Sequence, residues 1–92
     1  MKITLVQEVQ LKNLKNGYKE IRKTFDSNIM PHEGDFVTDS VWQDSYEYRV
    51  REIVINYEEN NVHVLLEPVI LETNNNEALN EYYEMVKLHN WE

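Results

Sequence analysis

The chain has 92 residues, 41% of them hydrophobic and 11% aromatic, with no cysteine and a formal net charge of −8. That length holds one domain and not two. The absence of cysteine excludes disulfides, thiolate metal sites and cysteine nucleophiles, and so acidic a chain repels nucleic-acid phosphates except through a local basic patch.

The first ten residues, MKITLVQEVQ, turn polar too early for a signal peptide. No apolar run approaches the ~18 residues needed to span a bilayer. The expectation is a soluble, cytoplasmic protein that starts at Met1.

Residues 2–11 place Ile3, Leu5, Val9 and Leu11 at one parity and Thr4, Glu8 and Gln10 at the other, the period of a strand with one buried face. Residues 12–25 support two readings. Leu11, Leu14, Tyr18, Ile21 and Phe25 form a stripe at helical spacing, but Gly17 opposes a helix at about 1 kcal/mol relative to alanine. Asn16-Gly17 is a strong hairpin signal, because a tight turn needs residues with positive φ. Turn chemistry favours the hairpin, which turns Ile21 and Phe25 inward and ends near Asp26.

Pro31 and Gly34-Asp35 mark residues 27–34 as a loop. A short strand follows at 35–39 and a loop at 40–45. In residues 46–57, Tyr46, Tyr48 and Val50 share one parity while Ile53, Ile55 and Tyr57 share the other. A continuous strand cannot keep both sets on one face. A bulge near Arg51-Glu52 would, and it would bend the strand as small barrels require.

Residues 58–61 read as a turn with a left-handed Asn. Residues 61–71 are the return strand, with Pro68 at an edge or a strand end. Asn74 as N-cap and Glu77 three residues on predict a helix over 74–90, with Leu79, Tyr82, Tyr83 and Val86 on its apolar face.

The expected fold is mainly β, a β-rich α+β single domain over 1–92. It is a small, half-open, five-stranded barrel (1–71) capped by one C-terminal α-helix. In outline, and in the progression Asn16-Gly17, Pro31, Gly34, Asp35, Val37, residues 1–71 resemble an SH3-like barrel. The resemblance is architectural; it names no family and carries over no functional residue.

No catalytic or metal-binding constellation emerges, and no cofactor is expected. His32, Glu33 and Asp35 lack the second histidine of a zinc-protease helix and sit in a turn. His63 points away from the face of Val62 and Val64, and His89 suits a helix end. The two glycines are too far apart for a phosphate loop, and no serine stands in a nucleophile elbow.

Binding surfaces remain. An acidic, aromatic rim comprises Asp39, Trp42, Asp44, Tyr46 and Glu47, extended by Asp35 and Phe36. Rings flanked by carboxylates take proline-rich or Arg/Lys-bearing peptides, unless those rings are core. The helix carries Tyr82, Tyr83, Met85, Leu88 and Trp91, more apolar surface than one small barrel face covers, so it offers a partner groove or a weak homodimer contact. The leading expectation is a non-enzymatic adaptor for a basic or proline-rich protein partner, monomeric or weakly dimeric.

The charge distribution suggests an alternative. Residues 26–92 carry three Lys/Arg against fifteen Asp/Glu, as in an inhibitor that imitates nucleic acid. A lesser alternative is direct nucleic-acid binding through Lys12, Lys15, Lys19, Arg22 and Lys23 with Tyr18, though pairing of these cations with the acidic body competes with it.

Overall fold

A computed structural model describes residues 1–92 apart from 14, 16 and 43–45. The first strand, β1 (Lys2–Gln10), buries Ile3, Leu5 and Val9, the parity set read from the sequence. Strand β2 (Tyr18–Asp26) returns antiparallel to it, with Tyr18 opposite Gln10 and Asp26 opposite Lys2. The hairpin expected for 12–25 is therefore present and the helical alternative falls. Its driving contact is Ile21, fully buried beside Gln7. Asn16 of the expected turn lies outside the described residues, as does Leu14.

Gly17 enters β2 with φ +138, a conformation that side chains rarely adopt. A Cβ there would lie 3.3 Å from Asn76 Oδ1, whereas one at Gly34 (φ +90) would meet nothing within 4 Å. Gly17→Ala is expected to lower stability by about 1–3 kcal/mol through strain, and by more than Gly34→Ala does. Urea unfolding of the two variants checks the order.

Strand β3 is only Phe36–Val37, shorter than the expected 35–39. At one end the Gly34 N–H donates to Val50 O and the Val50 N–H donates to Asp35 O. At the other, Asp39 turns the chain: its carboxylate accepts from the Val41 N–H and its carbonyl from the Trp42 N–H. Strand β4 (Tyr48–Asn56) carries the expected bulge, since Val50 faces Leu66 and Glu52 faces Leu65, leaving Arg51 as the extra residue. Val50, Ile53 and Ile55 thereby share the inner face. The turn that follows uses Asn60 at φ +53.

Strand β5 (Asn61–Leu66) buries Val62, Val64 and Leu66. Pro68, unable to donate to a ladder, ends it, and the chain resumes as β6 (Val69–Ile70). The return strand is thus two strands, and the fold has six among the described residues instead of five. Both halves run parallel to β1, Asn61–Leu65 against Lys2–Val6 and Val69–Ile70 against Val9–Gln10. The register slips by one residue between them. There the buried Gln7 side chain donates from Nε2 to Glu67 O at 2.9 Å, replacing the lost ladder contact.

The strand order is β2-β1-β5-β4-β3, with β6 also on β1. The sheet is mixed and curls into a half-barrel. Its inner face holds the core of Ile3, Leu5, Val9, Ile21, Val50 and Val64.

Helix α1 (Asn76–Lys87) is capped by Asn75, whose Oδ1 accepts from the Glu77 N–H at 2.9 Å. Asn74, the expected cap, instead accepts from the Asn13 N–H at 2.6 Å, and Thr73 O accepts from the Lys12 N–H. The residue before the helix is therefore used to tie it to the β1–β2 connection.

The helix is also shorter than 74–90. Asn90 adopts φ +68, with its N–H donating to Lys87 O and the Trp91 N–H donating to Val86 O. This is a Schellman-type closure with asparagine at the left-handed position. It turns Trp91 back into the core at 2% exposure. Glu92 then exchanges both backbone hydrogen bonds with Arg22 on the free edge of β2. No helix among the described residues is long and apolar enough to cross a membrane.

Candidate functional site

The acidic corner at residues 32–35 is a turn. The Asp35 N–H donates to His32 O, the His32 N–H donates to Asp35 Oδ2 at 2.9 Å, and both side chains are exposed. His63 lies opposite Thr4 and Val54, on the face away from the buried Val62 and Val64. His89 Nδ1 stands 3.0 Å from Ser40 Oγ on the surface. The neighbouring carboxylate, Asp39, does not orient that imidazole, because other groups occupy both of its oxygens.

Asp39 is a structural hub. Oδ1 receives the Lys23 ammonium at 2.6 Å, and Oδ2 receives the Trp91 indole N–H at 3.0 Å and the Val41 backbone N–H at 3.1 Å. Desolvation works against its charge, but the hydrogen bonds from Lys23, Trp91 and Val41 outweigh it and hold the carboxyl below its ordinary value. The hub ties the β2 edge, the loop after β3 and the C-terminus together.

Three cations of residues 12–23 are also engaged within the chain. Lys23 is on Asp39, Arg22 on Glu20 at 2.6 Å, and Lys19 sits 4.9 Å over the Tyr83 ring, which Lys87 also approaches.

The predicted rim divides. Asp39 is the hub and Trp42, at 8% exposure, belongs to the core. Tyr48 meets the Trp42 ring edge-on at 4.7 Å, and the Trp91 ring lies 5.9 Å away. Asp44 lies outside the described residues. Tyr46 remains on the surface at 52% exposure, its ring tilted against that of Tyr48 at 4.9 Å. Glu47 is exposed beside it.

A groove of about 530 Å³ runs between this aromatic run, β6 and α1. Trp42, Tyr46, Tyr48 and Tyr82 form its aromatic wall. Val69, Ile70 and Met85 supply the aliphatic side, and Glu72 the one carboxylate among its described lining residues. The rim and the helix, two separate expectations, meet here. Trp91 is not part of the helix's free surface, being buried, whereas Tyr82 and Met85 are half-buried and available.

The polar groups of the groove are chiefly phenols, which both donate and accept, with the Glu72 carboxylate. Burial pushes the Tyr48 phenol up, and the neighbouring Tyr82 and Tyr46 add to the shift. Burial also pushes Tyr82 up, opposed by the Trp42 indole N–H. Both phenols therefore keep their protons at neutral pH. The Trp42 Nε1–H is shielded from solvent and faces the Tyr82 hydroxyl, though the geometry falls short of a well-formed hydrogen bond among the described residues.

No protein-family model, curated protein or solved structure matches the chain.

Sequence reasoning missed Val69, Ile70 and Glu72 as site residues. Their signal was Pro68, which ends β5 and moves the following residues beside the end of β1.

Proposed function

We propose that the protein is a non-enzymatic binding protein of the cytoplasm that holds a segment of a basic or proline-rich protein partner in the groove between β6, Tyr46–Tyr48 and α1. The carrying observation is the groove itself, about 530 Å³ between an aromatic wall of Trp42, Tyr46, Tyr48 and Tyr82 and the exposed Ile70. The groove's size falls within the roughly 300–1,000 Å³ of ordinary ligand sites. Among the described residues its lining includes no nucleophile paired with a base, which favours holding a ligand over turning it over. The acidic net charge of −8 favours a partner with Lys or Arg near the docked segment.

Selection of a displayed random-peptide library on the intact protein tests the reading, with Ile70→Asp as the counter-screen. Ile70 is 57% exposed, so the change leaves the core untouched. Enriched peptides are expected to lose at least tenfold in affinity on Ile70→Asp, with the unfolding midpoint unchanged. Enrichment of peptides indifferent to Ile70, or no enrichment, would overturn the groove as the binding site.

A further inference from the structure

The two outer edges of the sheet are guarded unequally. The β2 edge carries Lys19, Arg22 and Lys23, and Glu92 exchanges both backbone hydrogen bonds with Arg22. Cationic side chains and a covering segment are the usual means of keeping an edge from pairing with another chain. On the opposite side, β3 pairs only with Tyr48 and Arg49 of β4, and Gly34 and Asp35 meet the backbone of Val50. Among the described residues no strand covers the far edge of β4 from Glu52 to Asn56. That stretch, EIVIN, has neither lysine nor proline, and Val54, Ile55 and the following Tyr57 are exposed.

The charges around this open edge are ordered. Arg49 and Arg51 precede it, and Glu58 and Glu59 follow it. All four are exposed, and none is in an ion pair among the described residues. A second copy laid parallel in register sets cation on cation. Laid antiparallel, it sets Arg51 of each copy by Glu58 of the other. The edge is therefore its own complement, which is the condition for a two-fold interface.

The register follows from the faces. Val54 lies opposite His63, on the outer face with Glu52 and Asn56, while Ile53 and Ile55 lie on the inner face opposite Val64 and Val62. A two-fold axis at Val54 sets Val54 on its copy, Ile53 on Ile55 and Glu52 on Asn56. An axis at Ile55 sets Glu52 on Glu58, and like charges directly opposed destabilise a strand pair.

We propose that two copies of this chain associate through the open half of β4, antiparallel and centred on Val54, so that two half-barrels share one continuous sheet. No residue of the open edge lines the groove beside α1, so this contact is independent of the binding reading above. Five residues per strand make a small interface, and the dimer is a weak one.

Sedimentation of the full chain at concentrations up to about 1 mM tests the proposal, since weak pairs dissociate in the micromolar-to-millimolar range. The mass is expected to rise from the 11.1 kDa of one chain toward twice that value. Val54→Lys sets one ammonium against another at an exposed position. It is expected to weaken association at least tenfold, with the far-UV spectrum of the dilute protein unchanged. Arg51→Glu and Glu58→Arg are each expected to weaken self-association. An equimolar mixture of the two is expected to dimerise like the wild type, because the unlike pair restores both charge contacts. A mass that stays at one chain, a dimer indifferent to Val54→Lys, or a mixture no better than its components would overturn the proposal. So would loss of the dimer on Ile70→Asp, which would place the contact at the groove instead.

Discussion

Trp91→Ala is expected to destabilise the protein by about 3–5 kcal/mol, the cost of truncating a buried tryptophan. The size is unusual for the penultimate position of a chain, since termini are ordinarily frayed and tolerant. Here the side chain is 2% exposed and packs toward the Trp42 ring at 5.9 Å. Its N–H also satisfies Asp39 at 3.0 Å, so truncation leaves both a cavity and a weakened hub. Single domains are stable by only about 5–15 kcal/mol, so the loss would bring unfolding close to ambient temperature.

Urea unfolding checks the figure, with Leu88→Ala as the comparison. Leu88 lies three residues earlier but is 83% exposed, so its truncation is expected to stay within about 0.5 kcal/mol. A Trp91→Ala effect as small as that of Leu88→Ala would show that the C-terminal strap is not seated.

This contrast also shows where the sequence was legible. Leu88 lies on the extended apolar stripe of the helix and Trp91 lies beyond it. Periodicity therefore marks the wrong residue of the two as the better packed. The deciding feature is Asn90, whose left-handed backbone reverses the chain, and a lone asparagine after a helix is a weak signal until the reversal is seen to have something to cover.

The local elements fared better, because their causes are local. Asn16-Gly17 favoured the hairpin over the helix, and the parity flip at Arg51 placed the bulge correctly. The turn at Asn60 followed from the tolerance of asparagine for positive φ. Pairing between β1 and β5 was not legible. A run of hairpins suggests neighbours in sequence order, whereas β1 and β5 are far apart in sequence and run parallel. Nothing in the alternation of either strand distinguishes a parallel from an antiparallel partner.

That pairing is what makes the groove. It carries β6 to the end of β1, beside α1, and so places Ile70 and Glu72 across from Tyr82. The acidic rim was inferred from residues adjacent in sequence, and adjacency misassigned Asp39 and Trp42. A carboxylate two residues before a run containing tryptophan looks the same whether it faces solvent or an ammonium group on another strand.

The charge of Asp39 has its own consequence. Asp39→Asn is expected to cost about 2–3 kcal/mol at neutral pH. Removing one partner of a fully buried pair costs roughly 3–5 kcal/mol, and the Lys23 ammonium, which keeps some access to water, bears less than that. The substitution keeps the shape of the side chain but leaves Lys23 facing a neutral amide and weakens the acceptor for Trp91.

The pH dependence separates this from a packing defect. Asp39 ionises below its ordinary value of 3.8 in the folded protein. Above that value both folded and unfolded chains are ionised, and the full stabilisation is present. As pH falls below it, the unfolded chain takes up the proton first, and the advantage is lost until the folded carboxyl also titrates. The gap between wild type and Asp39→Asn is therefore expected to be flat from pH 7 to about 5 and to close progressively below about pH 4. Urea midpoints of the two proteins across that range make the comparison. A gap unchanged down to pH 2 would mean that shape at Asp39, and not its charge, holds the C-terminal strap to the barrel.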